Sequence, residues 1–161
     1  MRIFKLFNLK LVKPRKSSGL RLRLRRSVRV RRVRRRKVSA KSNAHYLKYK
    51  AATRALVQEK INFYINLYKE KHKIELKPSG RIAIRNTVSR WGSCSTKGNL
   101  NFSYRLSLLP QELSDYIIVH ELCHLKEFNH GPKFWDLVGL ELPNHEKLRE
   151  HLKKYSLRTI A

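Results

Sequence analysis

The residues with the clearest chemical potential lie between Tyr116 and Trp135, in the stretch YIIVHELCHLKEFNHGPKFW. Three of the chain's seven histidines are here, and His120 and His124 bracket Glu121 in the spacing H-E-x-x-H. Histidines four residues apart on a helix project from one face, so both imidazoles can bind the same zinc ion. Glu121 would lie beside the metal without binding it, where it can accept a proton from zinc-bound water. The pattern predicts zinc-dependent hydrolysis.

A catalytic zinc site needs a third protein ligand and an open fourth position. His130 is the first candidate, because it follows His124 by six residues within the motif NHGP, where the chain can turn back. Glu127 and Glu141 are the alternatives. Glu127 is on the same helix and points along its axis, whereas Glu141 lies on the next segment of the chain.

The alternative to a metal site is a chance cluster of polar residues on an ordinary helix. The apolar residues YIIV before His120 predict that this helix is buried. Two histidines and a glutamate inside a buried helix are unfavourable without a metal or hydrogen-bond partners. We therefore expect a metal site. The two cysteines, Cys94 and Cys123, are weaker candidate ligands, since Cys123 points about 100° away from its neighbour His124 on a helix.

The segments that must position these residues begin with a helix and a pair of strands. From Ser42 to about Tyr68 the apolar residues recur every four or five positions, which predicts a long amphipathic helix. Segments 81–88 and 99–106 both alternate apolar and polar residues. This pattern predicts an antiparallel hairpin whose strands are joined by the loop RWGSCSTKGN.

Three helices are predicted after the hairpin. Pro110 is suited to the first turn of the helix that carries the histidines, which is expected to end near Phe128. A short helix at Lys133–Leu140 and a final helix at Glu146–Tyr155 follow. The order helix, hairpin, helix, helix, helix predicts an α+β fold.

Basic residues are concentrated at the start of the chain. The net charge is +27, and residues 1–50 contain 20 of the 38 Lys and Arg residues but no Asp or Glu. We expect two parts: a strongly basic segment, 1–42, that is partly strand-like or disordered, and a compact domain, 43–161. Clustered Lys and Arg gain affinity for nucleic acid by releasing counterions, so the segment could bind nucleic acid or another polyanion. The alternative is a solvated tail without a specific role.

The sequence also favours a particular compartment. Two cysteines are too few for a disulfide framework. The first residues lack the uninterrupted apolar core of a signal peptide, and no run approaches the roughly 18 apolar residues that cross a bilayer. We expect a soluble cytoplasmic monomer.

The ordered motifs SRWGSCS, NLNFSYRL, LP, DYIIVHELCHL and NHGPKFW resemble the YgjP-like zinc metallopeptidases, a family related to the SprT-like and minigluzincin metallopeptidases. The resemblance covers roughly residues 44–155. It implies a small zincin-like domain with a short sheet, here expected to be antiparallel, beside the zinc helix. It also implies a protein or peptide substrate and one zinc ion per chain, held by His120, His124 and His130, with Glu121 as the catalytic base.

Three further residues are candidates for substrate binding. Arg90 could hold a carboxylate or phosphate of the substrate, Trp91 could line the cleft or fill the core, and Tyr104 is a candidate oxyanion donor. Two other functions stay open: a zinc hydrolase of a small anionic substrate such as a nucleotide phosphoanhydride, and a basic nucleic-acid-binding protein with a structural zinc. A structural site would close the fourth position and would need no free carboxylate at Glu121.

Overall fold

A computed structural model describes residues 40–157. Its elements are, in chain order, α1 (Ala40–His72), β1 (Ile82–Arg85), β2 (Gly92–Cys94), β3 (Leu100–Ser103), a 3-10 helix (Tyr104–Leu108), α2 (Gln111–Cys123), α3 (Pro132–Gly139) and α4 (His145–Lys153). The predicted α+β class is confirmed. The strand-like pattern from Leu20 to Val30 lies outside the described residues, and the division at 42/43 stays a prediction.

The sheet differs from the predicted hairpin. Its strand order is β1-β3-β2, in which β2 pairs antiparallel with β3 while β1 pairs parallel with it, Ile82 lying opposite Leu100. The antiparallel pairing of 81–88 with 99–106 was therefore wrong. The chain reverses twice, once into β2 and once into β3, so β1 and β3 run in the same direction. Alternation of apolar residues indicates which face of a strand is buried, but it does not indicate the direction of the neighbouring strand.

The core surrounds α2. Nine of the thirteen residues of this helix are buried, as the apolar run before His120 predicted. Helix α1 packs on it through residues such as Ile61 and Tyr68, while β3 contributes Phe102, and all three side chains are almost completely buried. Helices α3 and α4 cover the remaining side of α2. A helix held by neighbours on several sides fixes the directions of its side chains, which a catalytic site requires.

The helix boundaries follow the local sequence. Helix α1 is longer than predicted because no glycine or proline interrupts it before Pro78. Helix α2 ends at Cys123, earlier than the predicted Phe128, and the following amides of 125–127 bond in turns to the carbonyls of Leu122 and Cys123. Within residues 40–157, no helix combines the length and apolarity needed to cross a bilayer.

Candidate metal centre and active site

The end of α2 positions the first two histidines of the site. His120 lies in the last turn of α2, and His124 is the residue that caps it. The ring nitrogen Nδ1 of His124 lies 3.0 Å from the carbonyl oxygen of Glu127. A carbonyl oxygen can only accept a hydrogen bond, so Nδ1 carries the proton and Nε2 keeps its lone pair. Nε2 of His124 is thus available to bind a metal, in an orientation set by the turn that ends the helix.

The turn after α2 brings His130 back to the helix. The amide of Gly131 donates to the carbonyl of Asn129, and Pro132 then begins α3. In this conformation Nε2 of His130 lies 3.0 Å from Nε2 of His120. One ligand atom from each of the three histidines, His120, His124 and His130, lies within 4.8 Å of the other two.

Two aromatic residues of α3 support this arrangement. The fully buried ring of Phe134 lies between 4.5 and 4.9 Å, centroid to centroid, from the rings of all three histidines. The indole Nε1 of Trp135 donates to the backbone carbonyl of His130 at 3.1 Å. Since that bond uses the backbone, it holds the turn in place without occupying the imidazole of His130.

The donor set fits a zinc ion. Zinc prefers imidazole nitrogen, and catalytic sites commonly combine three protein ligands with one open position. Burial, together with the positive charge of His124, His130 and Arg149, lowers the pKa of His120 to about 3. The neutral imidazole is the form that binds metal. Nδ1 of His120 is buried without a hydrogen-bond partner, so Nε2 is the atom that this ring presents to the cluster.

The other candidate ligands lie elsewhere among residues 40–157. Glu141 forms ion pairs with Lys71 and His72 at the end of α1. Glu127 contributes its backbone carbonyl to His124 rather than its carboxylate. Neither glutamate belongs to the cluster of possible ligands that the three histidines form.

The two cysteines are also outside the cluster. Both are free thiols, and burial raises the pKa to about 11 for Cys94 and about 12 for Cys123. Cys123 is fully buried and lies against the hydroxyl of Tyr68, with a sulfur–oxygen distance of 3.6 Å. It packs in the core, as its direction on the helix predicted.

Glu121 lies against the backbone of β2. Its side chain is buried, and its carboxylate accepts a hydrogen bond from the backbone amide of Cys94. A Cβ atom added at Gly92 would lie 2.6 Å from both Cγ and Oε1 of Glu121, so only glycine permits this approach. Burial raises the pKa of Glu121 to about 7, against the opposing effects of Arg90 and of the Cys94 amide. A carboxyl group with such a pKa can both accept and release a proton near neutral pH.

The contribution of β2 to the site was not predicted from sequence. Gly92 and Cys94 were expected in a loop, because three residues are too few to show a strand pattern. The available signal was the glycine itself, placed between two predicted strands. Glycine in an extended segment often marks a close approach of another group to the backbone.

Replacing Gly92 with alanine is expected to lower kcat about tenfold to hundredfold with little change in zinc content. The new methyl group would collide with Glu121 and displace its carboxylate, while the three histidines stay untouched. Steady-state kinetics and metal analysis of the purified variant would test this. Gly131→Ala is the matched control, because a Cβ there meets no atom within 4 Å. Equal activity of the Gly92 variant and the native protein would contradict the proposed contact.

Two of the three substrate-binding candidates, Arg90 and Trp91, lie near Glu121. Arg90 is exposed, acts electrostatically on Glu121, and lines a cavity of about 200 Å³ together with Trp91 and Gly92. Trp91 is half-buried, and it both lines this cavity and packs against the core. These two residues therefore lie beside Glu121.

The structure does not bring Tyr104 into the site. Its side chain is fully buried, and its hydroxyl lies 3.2 Å from Nδ1 of His45 on α1. A side chain without exposed surface cannot contact a substrate, so Tyr104 contributes to packing between the 3-10 helix and α1. An aromatic residue in an alternating strand pattern has the same appearance in sequence whether it lines a cleft or fills a core.

A buried helix with two histidines, a returning third histidine and a small mixed sheet together define a metallopeptidase-like protein. The model of the YgjP-like metallopeptidase domain matches residues 7–155, and the chain belongs to this family. The match begins well inside the basic segment, earlier than the position near 44 at which the sequence motifs begin.

A similar fold is found in a solved structure. The crystal structure of the metallopeptidase zymogen of Pyrococcus abyssi abylysin is similar to this chain, with a TM-score of 0.51 and 22% sequence identity. The similarity covers 61% of this chain and 93% of that chain. At this identity it supports the zincin-like fold alone. A search of curated proteins gives no match.

Proposed function

We propose that this protein is a zinc metallopeptidase in which Glu121 transfers the proton. The observation that carries the proposal is the convergence of ligand atoms from His120, His124 and His130 to within 4.8 Å, with the carboxylate of Glu121 next to His120 in the chain. Zinc bound there would act as a Lewis acid on the scissile carbonyl and would make water nucleophilic at neutral pH.

Glu121 is the general base in this proposal. Its carboxylate would take a proton from the attacking water and would pass it to the leaving amine. Burial favours this role, because the raised pKa makes the Glu121 carboxylate a stronger base toward the attacking water. The Cys94 amide fixes one carboxylate oxygen and thereby orients the other.

The free edge of β2 supports an extended peptide as substrate. In the described sheet β2 is an edge strand, and the carbonyl of Trp91 and the amide of Ser95 both bond to the β3 side. Because hydrogen-bonding groups alternate along a strand, the amides and carbonyls of Gly92 and Cys94 point to the other side, where the Cys94 amide meets Glu121. A peptide that pairs with the remaining groups of this edge would lie next to the proposed base.

A comparison of metal-loaded and metal-free protein tests the proposal. Unfolded proteins and mixed peptides are incubated with each form, and new amino termini are identified by mass spectrometry. We expect cleavage only with zinc, and loss of cleavage in His124→Ala. Nucleoside triphosphates form a parallel series, and hydrolysis of these without peptide cleavage would favour the phosphoanhydride alternative. No turnover of either class would contradict an enzymatic role.

The basic segment 1–42 supports a second, separate activity. Residues 1–50 carry 20 positive charges with no acidic residue, which favours binding to nucleic acid or another polyanion. Every residue proposed for catalysis lies after residue 89. The two activities would therefore depend on different parts of the chain.

A further inference from the structure

A cavity lies next to the proposed metal centre, between α3 and α4. It has a volume of about 470 Å³ and is lined by Trp135, Asp136, His145, Glu146, Arg149 and Glu150. Cavities of this size accommodate small ligands or individual parts of a larger one. Trp135 connects the cavity to the metal centre, because its indole donates to the carbonyl of His130 and its ring centroid lies 6.0 Å from that of His120.

Arg149 is held over the indole of Trp135. Its guanidinium carbon lies 5.4 Å from the ring centroid, and His145 stacks on the same indole at 5.2 Å with an interplanar angle of 16°. Within residues 40–157, Arg149 has no carboxylate at ion-pairing distance. A cation–π contact uses the face of the guanidinium and leaves its N–H groups free to bind an anion.

Arg149 lies near the proposed metal centre, with Trp135 as the link between them. Its guanidinium carbon is 5.4 Å from the indole centroid, which is 6.0 Å from the ring centroid of His120 and 5.8 Å from that of His130. Of the four charged residues that line the cavity, Arg149 is the one with a positive charge. That charge is therefore close to two of the proposed ligands.

We propose that Arg149, supported by Trp135, binds a carboxylate group of the substrate beside the metal centre, so that peptides with a free terminal carboxylate next to the scissile bond are preferred. This inference rests on the proposed peptidase function. A guanidinium can bind a carboxylate through two parallel hydrogen bonds, which fixes orientation as well as charge. Asp136, Glu146 and Glu150 also line the cavity and oppose negative charge, so a carboxylate would bind there only where it contacts the guanidinium of Arg149 directly.

Paired peptides test this preference. Each sequence is prepared with a free carboxyl terminus and with a terminal amide, and both are offered to the zinc-loaded native protein, to Arg149→Met and to Arg149→Lys. We expect kcat/KM to be about tenfold to hundredfold higher for the native protein on the free carboxylate. Arg149→Met should lose this preference, and Arg149→Lys should retain part of it, since lysine keeps the charge without the paired N–H groups.

Lys147→Met is the matched control for the charge change. Lys147 lies on the same helix and is exposed, but it does not line the cavity. The Lys147→Met variant should keep the full preference for peptides with a free terminal carboxylate. Three results would each overturn the inference. The native protein could cleave both peptides of a pair equally well, or it could prefer amidated peptides with basic side chains. Arg149→Met could also lose activity to the same extent on both peptides.

A binding measurement separates this inference from the proposed function. The tryptophan fluorescence of the otherwise native protein, to which Trp91 and Trp135 contribute, is recorded during titration with N-acetyl dipeptide acids and amides. A response to the acids alone that Arg149→Met abolishes would support the carboxylate site, even for a protein that cleaves no peptide. Peptide cleavage without preference and without such a response would support the peptidase function and refute the carboxylate site.

Discussion

Replacing Glu121 with glutamine is expected to abolish turnover while zinc content stays near one ion per chain. Glutamine has nearly the same shape, and its amide oxygen can still accept the hydrogen bond from the Cys94 amide. It cannot take the proton of the attacking water, so the general-base contribution, typically about 10²–10⁴-fold, should be lost. The histidine ligands are unchanged. Hydrolysis rates and zinc stoichiometry, measured on the same preparations, would test both parts of this expectation.

Glu112→Gln is the matched control for this variant. It makes the same chemical change in the first turn of the same helix, at an exposed position. It should leave both turnover and zinc content near the native values. Retained activity in Glu121→Gln would refute the proposed mechanism, whereas loss of zinc in that variant would mean that Glu121 has a structural or ligating role.

Replacing His130 with alanine is expected to weaken zinc binding by more than about a hundredfold. Removing a residue that merely orients a ligand typically reduces affinity about 10–100-fold, and removal of a ligand should exceed that. The fold should persist, because His130 is exposed and the bond from Trp135 uses its backbone carbonyl. Competition with a chelator of known affinity would measure the change.

Two further variants test whether His130, rather than another histidine or Glu141, is the third zinc ligand. His151→Ala removes another exposed histidine, one that contacts Tyr155 on a different side of α4 from the metal centre, and zinc affinity should not change. Glu141→Gln removes the carboxylate that was the alternative third ligand, and zinc affinity should again be unchanged. If Glu141→Gln released zinc and His130→Ala did not, Glu141 would be the ligand.

The parts of the site that could be predicted from sequence are those fixed by local geometry. Helical spacing alone places His120 and His124 on one face, and the apolar residues before them predict the buried helix that is observed. The turn that brings back His130 depends on a few consecutive residues, so its approach to His120 could also be anticipated. The α+β class follows from the order of local patterns in the same way.

The tertiary structure alone decided the contacts between segments far apart in the chain. The parallel direction of β1 and β3, the fit of Glu121 against Gly92, and the position of Arg149 over Trp135 all join residues from different elements. The alternation of apolar residues shows which side chains of a strand are buried. This alternation is the same whether the neighbouring strand runs parallel or antiparallel, and it does not identify which segment the strand packs against. Which surfaces meet is set by packing of the whole core. Packing therefore decided that β2, which was predicted as part of a loop, lies against Glu121 at the proposed active site.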